Sequence, residues 1–251
     1  MFSLTHILYM IISALITAGL LTFFYFKIKD DAHKTIVLKF FAIITVVLHF
    51  SSLWVDFFKE GEAVIREEML FPIHPCNVCM WLILICAFIK NRSTKFYRIL
   101  SEFCFLGGTV CGIIGILLNT NFDNNPTLLD YDVLKGLLSH STMIVATLYL
   151  LVSGFVKIRI HATFSAVCGL LLFVVDGFII NTLYSIFNIE ACNSMYLIEA
   201  PFPDMPWLNT WVMGLMGVTL AFLICAVYEQ IFLKKEERWY SLLIKKTKNA
   251  R

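Results

Sequence analysis

Charge is what this 251-residue chain has least of: only 15% of its residues are Asp, Glu, Lys or Arg, against 59% hydrophobic, and its mean hydropathy is +0.79. Soluble domains carry about one quarter charged residues, so the deficit excludes an ordinary aqueous fold. It falls in long apolar blocks rather than being spread evenly, and with this composition disorder, collagen and a nucleic-acid module are excluded too. No Lys or Arg precedes the first apolar run, which is too long for a signal peptide and is followed directly by Lys27, Lys29 and Lys34. It reads as a retained span with its N-terminus outside. No internal repeat stands out and no soluble domain is appended. The formal net charge of +2 identifies no partner, because in a membrane protein the position of each charge matters more than their sum.

A transmembrane helix needs about 20 mostly apolar residues. Seven stretches qualify: Ile7 to Phe26, Ile36 to Trp54, Phe71 to Ile89, Ile99 to Leu118, Val133 to Val156, Ala162 to Phe187 and Trp207 to Phe232. With the N-terminus outside, the inner segments hold Lys27, Lys29 and Lys34, then Lys90, Arg92, Lys95 and Arg98, then Lys157 and Arg159, and finally the run from Lys234 to Arg251. The outer segments hold only Lys59 and Arg66, so the positive-inside rule predicts N-out and C-in. The expected fold is an all-α, polytopic membrane bundle of seven helices over residues 1–233. Residues 234–251 read as a basic cytoplasmic tail, suited to anionic lipid and not to nucleic acid.

Polar groups inside lipid cost about 2.5 to 3.5 kcal/mol for a mid-span charge, so each needs a partner or a purpose. Of six histidines, His33 and His161 lie on the inner side, whereas His6, His49, His74 and His140 all fall in the outer half. Asp176 lies mid-span on the sixth segment, with Gly177, Asn181, Tyr184 and Asn188 recurring at helical spacing. An outward-opening polar pocket is the expectation. For any single histidine the plain alternative is an interfacial residue bonded to a carbonyl or water.

The sharpest local signal is His74-Pro75-Cys76-Asn77-Val78-Cys79. Proline suits the first helical position, which places Cys76 in the first turn of the third helix. Backbone N–H groups and the positive end of the helix dipole stabilise a thiolate there. With His74 close by, these are the ingredients of an activated nucleophile with an oxyanion site. Cys86, Cys104, Cys111, Cys168 and Cys225 lie in apolar helix context and read as packing. His140, in Leu138-Ser139-His140-Ser141-Thr142, lies about 10 Å into a span that enters from outside. It meets Cys76 if the third and fifth helices are neighbours. Gly108, Gly112 and Gly115 form a small-residue stripe that reads as a close helix contact.

Taken in order, Phe2-Ser3-Leu4-Thr5-His6, Pro72-Ile73-His74-Pro75-Cys76, Leu138-Ser139-His140, Asn181, Asn193-Ser194-Met195-Tyr196-Leu197, Pro203 and Pro206-Trp207 form a pattern running nearly end to end. This pattern resembles the YwaF-like bacterial integral membrane proteins, which are related to the eukaryotic transmembrane protein 164 acyltransferases. Where that family usually has Leu-His-Leu-Cys and Asn-Tyr-Met, this chain has Ile-His-Pro-Cys and Asn-Ser-Met, retaining the His, Cys and Asn. The resemblance implies a seven-helix bundle in a bacterial plasma membrane. Its eukaryotic relatives imply acyl transfer between lipids through a Cys and a His, roles that fall on Cys76 and His140.

Three functions follow. In a lipid acyltransferase, His140 deprotonates Cys76, His74 or Asn77 orients groups or stabilises charge, and Asp176 anchors a head group or orients His140. His49, Asn77, Asp176, Asn181 and Asn193 make up the substrate-binding set, phospholipid is the substrate, and no cofactor or metal is expected. In a membrane thiol oxidoreductase, Cys76 and Cys79 form a redox pair, although only Cys192 lies in an outer loop to relay electrons. In a binding or transport protein the pocket holds a solute. Zinc on His74, Cys76, Cys79 and His140 is a variant of that reading, but the spacing is no standard zinc signature, and the chain lacks the inverted repeat of many transporters.

Overall fold

Helix starts in this chain are set largely by short polar side chains. Ser3, Asp30, Thr94, Asp130 and Asn209 each accept a hydrogen bond from a backbone N–H two or three residues on, satisfying a donor that has no intrahelical partner. At Asp30, the backbone N–H of His33, assisted by its ring, holds the carboxyl below the usual carboxylate range. The computed structural model describes residues 3–61, 69, 71–119, 127–187 and 192–241. Within these lie seven helices, α1 (Leu4–Lys27), α2 (Asp31–Glu60), α3 (Pro75–Phe88), α4 (Lys95–Leu117), α5 (Tyr131–Val152), α6 (Ala162–Ile186) and α7 (Thr210–Phe232). No strand occurs among the described residues.

All seven expected spans are helical, and six of the helices are long and apolar enough to cross a membrane. The chain is therefore an all-helical, polytopic membrane bundle. α3 is the exception in length. Phe71 to His74 is not helical, and the helix begins at Pro75, which occupies the first helical position. Its 14 residues reach about 21 Å against a hydrocarbon thickness of about 30 Å, so α3 is shorter than a full span. α5 stops at Val152, short of Val156, because the chain turns through Gly154 at φ +80, a conformation that suits glycine. α7 starts at Thr210 rather than Trp207, where Asn209 supplies the cap.

α5 is the central helix, packed against α1, α2, α3 and α4, while α6 contacts α4 and α7. The main apolar core, with Leu38, Ile83, Tyr97, Tyr149, Leu150 and Ile158, lies toward the end where α3 finishes. α1 and α7 leave most of their apolar side chains exposed, as helices facing lipid do: Leu15 is 68% exposed and Ile231 66%.

The basic connections meet at that same end. Arg92 donates to Thr35, His161 bonds Glu102, and Arg159 pairs with Glu237 beyond α7. Glu229 closes this end from within: only 2% exposed, it accepts hydrogen bonds from the backbone N–H of Ile160 (2.7 Å) and of Trp239 (2.8 Å). Glu229→Ala leaves both N–H groups without an acceptor and is expected to cost about 2–4 kcal/mol. Thermal unfolding in detergent checks this, and Glu229→Gln, which keeps one oxygen acceptor, should lose less.

Candidate active site

The first turn of α3 begins the site. His74 is the N-cap residue but makes no side-chain cap; its carbonyl instead accepts from the N–H groups of Asn77 (2.9 Å) and Val78 (3.4 Å). The Asn77 backbone N–H is thereby taken, and the Asn77 side chain becomes the polar group facing the thiol. Cys76 Sγ–H donates to Asn77 Oδ1 at 3.4 Å, and Asn77 Nδ2 donates to His49 Nε2 on α2 at 3.2 Å. Because Nε2 accepts, His49 carries its proton on Nδ1. Thiol, amide and imidazole thus form a chain across two helices.

His140 lies on α5, which packs against α3. Its Nδ1 lies 2.7 Å from the Gly136 carbonyl, which can only accept, so the proton is on Nδ1 and Nε2 keeps its lone pair. His49 and His74 are both within electrostatic reach of His140. α3 and α5 are in contact, which is the condition for Cys76 and His140 to share a pocket. The glycine stripe of α4 makes room for the ring. A Cβ on Gly108 would press on Thr147 and one on Gly112 on Ile144, while one on Gly115 would overlap the His140 imidazole itself. A π-helical turn at Cys104–Gly108 interrupts α4 where this stripe begins. The neighbours of His140 lock α5 in place: Ser141 bonds Tyr9 and Ser13 of α1, and Thr142 bonds Thr45 of α2.

The lid over α3 is the segment Asn193–Leu197. Met195 and Tyr196 both adopt φ +55, a left-handed conformation costing roughly 1–3 kcal/mol for a residue with a side chain. Several contacts hold it. Asn181 on α6 clamps Ser194, accepting from its N–H (2.8 Å) and donating to its carbonyl (3.2 Å). The Ile73 carbonyl accepts from Met195 N–H and Ser194 Oγ, and Thr210 Oγ1 reaches the Met195 and Tyr196 carbonyls. A side chain at Gly177 would collide with Ser194, Met195 and Leu197, so its absence lets the lid sit against α6. Tyr196 stacks on His74, with ring centroids 5.7 Å apart and planes 27° apart.

Of the residues singled out in the sequence, Cys76, Asn77 and His49 are therefore joined by hydrogen bonds, His74 caps the same helix start, and His140 lies on the adjoining α5. Asn181 and Asn193 have their side-chain amides engaged with the lid, Asn193 bonding Ile198 and Glu199. Asp176 has a buried Oδ2 and no hydrogen bond among the described residues. His6 bonds the Ile116 carbonyl at 2.7 Å and ties α1 to α4. Ser194 and Tyr196 entered the sequence reading only within the family pattern, and Cys111 only as packing. Cys111, one turn before Gly115 on α4, packs against the cluster that holds Cys79. Only that spacing could have drawn attention to it. All eight cysteines are free thiols, and no group of three His, Cys, Asp or Glu among the described residues is arranged to hold a metal.

A family model for the TMEM164 family matches residues 1–228. The chain belongs to the TMEM164 family. No curated protein and no solved structure matches the chain. The family match covers α1 to α6, the segment Asn193–Leu197 and most of α7, so it runs through the bundle rather than over one local motif.

Proposed function

We propose that this TMEM164 family member is a lipid acyltransferase that carries the acyl group on Cys76. The observation that carries the reading is the hydrogen-bonded chain Cys76–Asn77–His49 at the start of α3, beside α5, on which the His140 Nε2 lone pair is left free by the Nδ1 bond to Gly136. His140 takes the thiol proton, the thiolate attacks an ester carbonyl of a phospholipid, and the lysophospholipid leaves with that proton. A hydroxyl or amine acceptor, deprotonated by the same imidazole, then attacks the thioester and releases the thiolate. Asn77 holds the thiol, and its contact with His49 fixes its amide orientation. His74 is oriented by Tyr196. Asp176 is left to meet a polar head group, since an unpaired carboxyl at mid-span is costly without one.

The positive-inside distribution supports an outward-facing pocket, with N-terminus out and C-terminus in. The likeness to YwaF-like bacterial proteins supports a bacterial plasma membrane as the location. Residues 1–233 then form the membrane domain and 234–251 a cytoplasmic tail. The thiol-exchange alternative is less well supported, because Cys79 is buried away from an exchange partner and the Cys76 thiol bonds Asn77.

The test uses a strain lacking the gene, complemented with wild type, Cys76→Ser or Cys79→Ser, with acyl composition read by lipid mass spectrometry. Wild type and Cys79→Ser are expected to restore the wild-type profile, and Cys76→Ser to leave the deletion profile. Identical profiles in every strain would sink acyl transfer, and loss with Cys79→Ser would favour thiol exchange.

A further inference from the structure

At the end of the bundle opposite Cys76, the connection before α4 and the one joining α5 to α6 enclose a cleft of about 580 Å³. Arg92, Lys95, Arg98, Lys157 and Arg159 line it, against a single carboxyl, Glu102. That carboxyl is already engaged, by His161 Nε2 at 3.0 Å and Ser165 Oγ at 2.5 Å, and Arg159 is paired with Glu237 at 3.7 Å. The remaining four cations have no acidic partner among the described residues.

Arg92 is built into the wall rather than lying loose on it. Its guanidinium carbon sits 3.6 Å from the centre of the Phe155 ring, and one terminal nitrogen donates to Thr35 Oγ1 at 2.8 Å. Its Nε–H is buried with no acceptor among the described residues. A buried guanidinium donor without an acceptor is unfavourable, and an anion beside the same guanidinium offsets the cost of holding its charge there. α4 starts at the same place: Thr94 caps it and Lys95 is its first residue, so the positive end of a 23-residue helix adds to the field. The positive-inside rule accounts for basic residues at this end. It does not account for their convergence on a concavity, with one guanidinium fixed between an aromatic ring and a hydroxyl.

We propose that this cleft binds a phosphate-bearing anion, with Arg92 and the N-terminal turn of α4 holding the phosphate and Arg98 and Lys157 completing its charge neutralisation. The phosphate belongs to an anionic lipid headgroup or to a soluble phosphate compound. This site is independent of the proposed acyl-transfer pocket, and its charge comes from the two connections rather than from the basic residues of the tail.

The test uses the full-length protein in nanodiscs of neutral phosphatidylcholine, measuring Tm and, by native mass spectrometry, retained ligand. The probes are phosphatidic acid, inorganic phosphate and glycerol phosphate. A saturating phosphate ligand is expected to raise Tm by about 5–10 °C. Arg98→Gln with Lys157→Gln should weaken it at least about tenfold, as should raised salt, because these two side chains are exposed. Neither makes a hydrogen bond to the described residues, so the variant should fold as wild type does. Lys245→Gln, Lys246→Gln and Lys248→Gln together should leave binding unchanged. Stabilisation by phosphatidic acid alone supports a lipid source, and stabilisation by inorganic or glycerol phosphate a soluble one. No shift with any probe, unchanged binding by the Arg98/Lys157 variant, or loss of binding in the tail variant would each overturn the proposal.

Discussion

Replacing His140 with alanine is expected to slow acyl transfer about 10²- to 10⁴-fold, the range general acid–base groups supply. The protein itself should survive the change. His140 donates only to the carbonyl of Gly136 in its own helix, so losing that bond costs about 1 kcal/mol. Activity and stability should therefore separate, which a purely packing histidine would not allow. Gly115→Ala checks the same point from the other side. It leaves the imidazole in place chemically but puts a methyl where the ring lies. Overpacking of this kind costs about 1–3 kcal/mol, and a displacement near 1 Å reduces turnover about 10²-fold. Turnover of a fluorescent phospholipid donor by reconstituted protein, measured against pH, reads both variants. His140→Ala should lose the imidazole-dependent acidic limb, whereas Gly115→Ala should retain it at reduced rate. Wild-type turnover in His140→Ala would remove this residue from the mechanism.

The second large effect is expected far from the thiol. Asn181→Ala removes both hydrogen bonds that clamp Ser194, a residue with no exposed surface. Leaving a buried N–H and carbonyl without partners costs roughly 1–3 kcal/mol each. For a chain of this size that lowers Tm by about 5–15 °C. The consequence for function is larger than the distance suggests, because the left-handed Met195 and Tyr196 persist only while the lid is held down. Once it lifts, the Ile73 carbonyl loses two donors and His74 loses its stacking partner. Faster proteolysis within 192–206 of the variant, together with reduced turnover, is the expected result. Asn181→Asp keeps the acceptor for the Ser194 N–H and should recover part of the stability. Unchanged proteolysis and Tm in Asn181→Ala would mean that the clamp does not hold the lid.

The parts of this protein legible in the sequence are those governed by short-range or one-dimensional rules. Hydropathy located seven helices because a span must be apolar for about 20 residues whatever surrounds it. Pro75 announced the start of α3, since a missing N–H is harmless only in the first turn. Gly108, Gly112 and Gly115 predicted a close helix contact, although not that the His140 ring would fill it. Hydropathy alone opened the third span at Phe71, four residues before the helix, because it does not separate an extended entry from a helical turn.

Composition and periodicity alone therefore determined that this is a multi-helix membrane protein, and the ordered motifs determined its family. The charge asymmetry and the His74–Cys76 and His140 motifs marked which residues to suspect. Only the tertiary structure decided which of them meet: that Cys76 reaches His49 through Asn77, that Asn181 and Asn193 hold a lid, and that scattered cations from two loops surround one cleft. Membership of a span depends on a residue's neighbours in the chain, whereas a hydrogen bond between α2 and α3 depends on how the helices pack. Helical spacing records which residues share a face of one helix. It carries no information about which other helix that face will meet.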